Sequence, residues 1–120
     1  MTQDFQPQQA IETLRNYKTD LEQLSGDYIC ERVYLQLLSA ELMDAEQKAR
    51  DEFFDKDPWP AATLLSHMIK RGSHKQKQAY QAQRAVVDQL EIKMKVLQES
   101  INLIKAAHRI SLTEINNLNL

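Results

Sequence analysis

Histidine, cysteine and acidic side chains are the residues of this 120-residue sequence that could bind a metal ion. A metal site needs several of them converging at ligand spacing, but His67, His74 and His108 are scattered and form no His-x-x-x-His pair. The acidic run at residues 51–57 lacks the glycine and the terminal glutamate that a calcium-binding loop requires. We expect these acids near the start of a helix, where its dipole favours them. The sequence therefore predicts no metal site.

Catalytic motifs are equally hard to find, because the sequence has only two glycines and one cysteine. Two glycines cannot build a glycine-rich loop around a phosphate, and no nucleophile-elbow motif is present. Cys30 lies at a predicted helix start among apolar residues, which favours a buried structural cysteine. We expect no enzymatic activity and no cofactor.

Positively charged residues gather around one predicted turn, with no acidic residue between Asp57 and Asp88. This basic cluster consists of Lys70, Arg71, Lys75, Lys77 and Arg84. Residues 1–57 carry 13 acidic and 6 basic side chains, whereas residues 58–120 carry 4 and 9. The cluster can therefore meet the acidic half of the same chain, an acidic partner protein, or nucleic-acid phosphates. We expect the cluster to meet the acidic half of the same chain. In the alternative, nucleic acid would bind the basic cluster at residues 67–84.

Apolar residues in the last third of the chain repeat at spacings of three and four, which is typical of a helix with coiled-coil-like heptads. The first apolar line consists of Val87, Leu90, Met94, Leu97, Ile101 and Ile104. The second apolar line, on the opposite side of the same predicted helix, contains Ile92, Val96, Leu103 and Ile110. One neighbouring helix cannot cover both lines. We therefore expect an interface with a protein partner or with a second copy of the chain, and a homodimer.

Helix-breaking residues divide the chain into about four predicted helices. Gly26 is expected to end the first helix, Pro58 and Pro60 to occupy the first turn of the third, and Gly72 to end it. Ser73 with Gln76 forms a capping-box pattern that predicts the start of the last helix. The expected helices are 7–25, 28–54, 58–71 and 74–110, followed by a short segment at 112–118.

The fold prediction is an all-α, elongated, antiparallel helical bundle with a single domain over residues 1–120. Apolar runs are too short for a membrane-spanning helix or a secretory signal, and the single cysteine suits a reducing compartment, so we expect a cytoplasmic protein. Trp59, between two prolines, is expected either to cover the end of the core or to anchor a partner.

These features predict a non-enzymatic adaptor or chaperone-like module that binds a protein partner through apolar helix faces. The alternative is a small nucleic-acid-binding accessory protein that uses the basic cluster. In size, charge and helix pattern the chain is similar to small bacterial adaptors and secretion chaperones, a likeness of class that assigns no role to any residue.

Overall fold

The computed structural model describes residues 7–57, 59 and 61–118. Over these residues the chain forms three α-helices and no β-strand: α1 (Pro7–Lys56), α2 (Ala62–Gly72) and α3 (His74–Leu118). The predicted all-α class is confirmed. The number of helices differs from the prediction, because the first two predicted helices are one continuous helix and the segment expected at 112–118 is part of α3.

Gly26 lies inside α1 and does not end a helix. Its φ angle is not positive, so it does not adopt the left-handed conformation that would stop the helix. Asp27 does not cap a new helix either, since its carboxylate accepts a hydrogen bond of 3.4 Å from the amide of Gln23, one helical turn earlier. One glycine within a helix costs only about 1 kcal/mol relative to alanine. Strong apolar periodicity on both sides of Gly26 outweighs that cost.

Asp57 closes α1 and does not cap α2. Its backbone N–H donates to the carbonyl of Phe53 at 2.9 Å, and its carboxylate accepts a hydrogen bond of 3.1 Å from the backbone N–H of Trp59. This arrangement uses the carboxylate to form the turn after α1. Helix α2 therefore starts at Ala62 instead of residue 58. The predicted roles of Pro58 and Pro60 lie outside the described residues.

Ser73 separates α2 from α3 at the predicted position, but its hydroxyl acts differently from a capping box. The hydroxyl donates a hydrogen bond of 2.7 Å to the carbonyl of Ile69, and the backbone N–H of Ser73 donates to the same oxygen at 3.0 Å. The carbonyl of Ser73 in turn accepts the first bond of α3, from the N–H of Lys77. Ser73 thus satisfies the end of α2 as well as the start of α3.

Helix α3 continues past Ser111 to Leu118, so the separate segment expected at 112–118 is part of it. No glycine or proline interrupts this stretch. A capping-box pattern alone does not end a helix, because it competes with an equally good continuation of the backbone hydrogen bonds. Ser111 with Glu114 makes such a pattern in the sequence, and the side chains of this pair lie outside the described residues.

Contacts divide the chain into two compact units. In the first unit, α1 up to Tyr28 packs on α3 from Leu90 onward, and the hydroxyl of Tyr28 donates a hydrogen bond of 2.7 Å to the carboxylate of Glu91. Later residues of the α1 segment lie beside earlier residues of the α3 segment, so the two segments are antiparallel. Among the side chains that the structure describes in this unit, Ala10 and Ile101 are the buried apolar ones.

The second unit spans Ile29–Gln89 and contains the rest of α1, all of α2 and the start of α3. Leu38 and Val87 are its buried apolar side chains. The amide of Gln83, also buried, donates hydrogen bonds to the backbone carbonyl and the carboxylate of Glu31. This buried polar contact fixes the pairing of α3 with α1, since a shift of either helix would leave the amide unsatisfied.

Candidate protein-binding groove

The two apolar lines of α3 differ sharply in exposure. In the first apolar line, Val87 is 4% and Ile101 2% exposed. The other members, Leu90, Met94, Leu97 and Ile104, are half-buried. The exposed fractions of the four residues of the second apolar line lie between 56% and 71%. The first line is therefore largely covered by the chain's own packing, whereas the second line presents its side chains to solvent.

A groove of about 580 Å³ lies between α1 and α3 in the first unit. Apolar side chains form most of its walls, and the polar side chains lie among them. The apolar lining residues are Tyr17, Leu24, Ile92, Val96 and Leu97, and the polar ones are Asp20, Gln23, Lys93 and Ser100. The α3 wall runs from Ile92 to Ser100, about 12 Å or two helical turns. A groove of this length accommodates two turns of an amphipathic helix.

Helical spacing places the groove residues on facing walls. Tyr17 and Leu24 lie seven residues apart on α1, as do Lys93 and Ser100 on α3, so each pair shares one side of its helix. The hydrogen bond between Tyr28 and Glu91 ties the two helices together beside this groove. Ile92 and Val96 belong both to the groove and to the second apolar line. If a partner covered the remaining exposed surface of either side chain, this burial would contribute about 1 kcal/mol to the free energy of binding.

The basic cluster is exposed, and part of it lies beside acidic residues of α1. All five of its side chains are exposed. Glu46 lines the same cleft as Lys70 and Lys77, and Glu52 lines another cleft with Arg71. Each cleft also contains one basic residue of α1, Arg50 in the first and Lys56 in the second.

Trp59 is 92% exposed, and its backbone N–H donates to Asp57. The expectation that it covers the end of a core is therefore wrong. The side chain is instead available to a partner, as an anchor residue would be. Its position after the turn at Asp57 explains the exposure, because the chain there connects α1 to α2 and is not part of either packed helix.

Cys30 is exposed, so its expected burial is also wrong. Ile29, Val33 and Leu37 are exposed beside it, with fractions between 55% and 62%. The half-buried and buried apolar positions of this part of α1 are on its other side, at Leu35, Leu38 and Leu42. The sequence has no charged residue from 33 to 40. This stretch indicates an apolar helix surface, but it does not indicate whether another helix covers that surface.

Within the described residues, no group of three or more histidine, cysteine or acidic side chains is placed to hold a metal ion. None of the helices over the same residues is long and apolar enough to span a membrane. Comparisons with protein-family models, with curated proteins and with solved structures each find no significant match.

Proposed function

We propose that this protein is a non-enzymatic interaction module, adaptor or chaperone-like, that binds an amphipathic helix of a partner protein in the groove between α1 and α3. The exposure of Ile92 and Val96 at the groove is the observation that carries the proposal. Large apolar side chains that line a groove and stay exposed are typical of a surface completed by another protein. Over its described residues the first unit contributes two helix segments, so a third helix would bury these side chains as a small bundle does.

The partner helix should carry aliphatic residues spaced by three or four positions, so that two or three of them face the groove. Asp20 and Lys93 add one charge of each sign to the groove lining. A basic side chain of the partner near Asp20 and an acidic one near Lys93 would fix the direction of the bound helix. Affinity would come mainly from the apolar anchors, because exposed ion pairs contribute little.

Leu103 and Ile110 extend the exposed surface along α3 beyond the groove. A partner that needs only two turns would use the groove alone, as an adaptor does. A client with a longer apolar helix would cover these residues as well, which is the behaviour of a chaperone. Truncation to alanine at Leu103 and Ile110 therefore separates the two roles, since it weakens only the longer contact.

The test is recovery of the protein from its native host with whatever it binds, followed by mass spectrometry of proteins, nucleic acids and small molecules. The groove variant Ile92→Glu with Val96→Glu is compared with Gln98→Glu, an exposed position on another side of the same helix. We expect one protein to be recovered with the wild type and the control and lost with the groove variant. Cross-links from a photoreactive residue at position 96 should fall within an amphipathic helix of that protein. Recovery that is the same for all three proteins contradicts the proposal.

Nucleic-acid binding is the second candidate, favoured by the exposure of all five basic-cluster side chains. Glu46 and Glu52 weaken only part of the positive potential of the clefts that Lys70, Lys77 and Arg71 line, because Arg50 and Lys56 line the same clefts. For the location of the protein we propose the cytoplasm, supported by the free thiol of Cys30 at the surface, which suits a reducing compartment.

A further inference from the structure

A cleft of about 400 Å³ in the second unit is lined by residues of all three helices, and we call it the three-helix cleft. Each helix contributes one basic side chain to the lining: Arg50 from α1, Lys70 from α2 and Lys77 from α3. Lys70 and Lys77 belong to the basic cluster, whereas Arg50 lies in the acidic half of the chain. The tertiary structure therefore adds a third positive charge that the sequence does not group with the other two.

These positive charges are only partly balanced by the protein. Glu46 is the acidic residue among the described lining residues, so three basic residues against one acidic residue leave a net charge of +2. Arg50 donates a hydrogen bond of 3.3 Å to the neutral amide of Gln47. Over the described residues, neither Lys70 nor Lys77 forms a salt bridge. The three cations can thus bind an anion without first giving up a carboxylate partner.

The charge of the three-helix cleft matches that of a phosphate monoester. Such a group carries about two negative charges above neutral pH, whereas a carboxylate carries one and would leave the cleft positive. Arginine binds phosphate through two parallel N–H donors, and lysine adds a compact charge for the remaining oxygens. Arg50 together with the two lysines provides both kinds of donor.

The rest of the lining indicates what kind of molecule carries the phosphate. Ala62, Leu65 and Ile69 of α2 give the cleft an apolar wall, and Ser66 adds a hydroxyl beside them. The volume of about 400 Å³ lies within the range of roughly 300–1,000 Å³ that is typical of small-molecule sites. A ligand of this size can place its phosphate among the cations and a short apolar part against α2.

A nucleic-acid strand fits the surroundings of the cleft less well, because it would extend beyond it. Glu46 lines the cleft itself, and a second cleft between α1 and α3 contains Glu41 and Asp44 with only Lys48 to balance them. Phosphates that continued along these two helices would meet like charges, which repel them. We propose that the three-helix cleft binds a small-molecule phosphate monoester that has an apolar part.

The proposal is tested on the full-length protein by isothermal titration calorimetry at pH 8 and low salt, with phenyl phosphate as the probe. We expect phenyl phosphate to bind at least about tenfold more tightly than inorganic phosphate, because its ring adds apolar contact with Leu65 and Ile69. Benzyl alcohol, which has the ring without the phosphate, should not bind. Absence of binding at millimolar phenyl phosphate would overturn the proposal.

The cation variant is Lys70→Gln with Lys77→Gln. Its control is Lys75→Gln with Arg84→Gln, which removes two charges of the basic cluster that do not line the cleft. We expect about a tenfold or greater loss of affinity for phenyl phosphate in the cation variant and wild-type affinity in the control. Glu46→Gln should strengthen binding, since it removes a carboxylate that repels the phosphate. Equal losses in the cation variant and its control would mean general attraction to a positive surface, and the proposal would be wrong.

Leu65→Ala tests the apolar wall, with circular dichroism as the check that every variant stays folded. This change should weaken the binding of phenyl phosphate several-fold and leave the affinity for inorganic phosphate unchanged. A short single-stranded DNA is the last probe. If it displaces phenyl phosphate and binds more tightly, and the cation variant loses that binding, the ligand is nucleic acid and the small-molecule assignment is overturned.

Discussion

Gly72 lies so close to Ala49 that a Cβ atom on the glycine would be 2.8 Å from the Cβ of Ala49 and 3.8 Å from its Cα. The two residues belong to α2 and α1, and both line the same cleft of the second unit. The absence of a side chain at position 72 is therefore what allows the end of α2 to approach α1. Ser73, which is buried directly after it, depends on the same approach.

Gly72→Ala should destabilise the protein by about 1–3 kcal/mol, the usual cost of forcing an extra carbon into a packed contact. The obstructing atom belongs to the short, rigid side chain of Ala49, so relief requires a shift of one helix. Chemical denaturation monitored by circular dichroism measures the change. The double variant Gly72→Ala with Ala49→Gly should recover part of the loss, and equal destabilisation with and without Ala49→Gly would contradict the proposed contact.

Gly26→Ala is the control for Gly72→Ala, and it should stabilise the protein instead of destabilising it. Nothing lies within 4 Å of a Cβ built on Gly26, and its φ angle is compatible with alanine. Alanine should therefore stabilise α1 by about 0.5–1 kcal/mol. The same denaturation measurement applies. Destabilisation would mean that Gly26 adopts a left-handed conformation and that α1 is broken there, as the sequence pattern had predicted.

Val96→Glu and Leu97→Glu test which side of α3 is covered. Val96 belongs to the exposed second apolar line and Leu97 to the half-buried first line. We expect Val96→Glu to change the free energy of unfolding by only about 0.5 kcal/mol, and Leu97→Glu to lower it by about 2 kcal/mol or more, because a carboxylate would replace a packed side chain. Similar effects of the two changes would contradict the assignment of the two faces.

Lys75→Glu and Lys77→Glu test the role of the basic cluster. Lys77 lines a cleft with Glu46, so Lys77→Glu should lower the melting temperature, whereas Lys75→Glu should leave it nearly unchanged. Neither change should alter retention on a nucleic-acid resin.

Retention on the nucleic-acid resin that weakens steeply as the salt concentration rises would instead support nucleic-acid binding. A log–log slope of about −0.7 to −0.9 per phosphate, lost in the double variant at unchanged melting temperature, would favour the nucleic-acid function over the protein-binding one.

Periodicity in the sequence was enough to predict an all-helical chain, because spacings of three and four with few glycines and prolines fit no strand. The same periodicity placed Ile92 and Val96 on a different side of α3 from Leu97 and Ile101. It also located the break before α3, since Gly72 and Ser73 interrupt an otherwise helical pattern. These conclusions concern neighbours within one helix, and local spacing determines them.

What covers each helix face was decided only by the tertiary structure. Apolar spacing groups Ile29 with Val33 just as it groups Leu35 with Leu38, but only the second pair has a helix packed against it. Gly26 lies within a continuous helix because the residues on both sides of it form one helix. The low helix propensity of a single glycine is too weak to break that helix. Burial depends on how many helices pack together and on which side, and no pattern within a single helix carries that information.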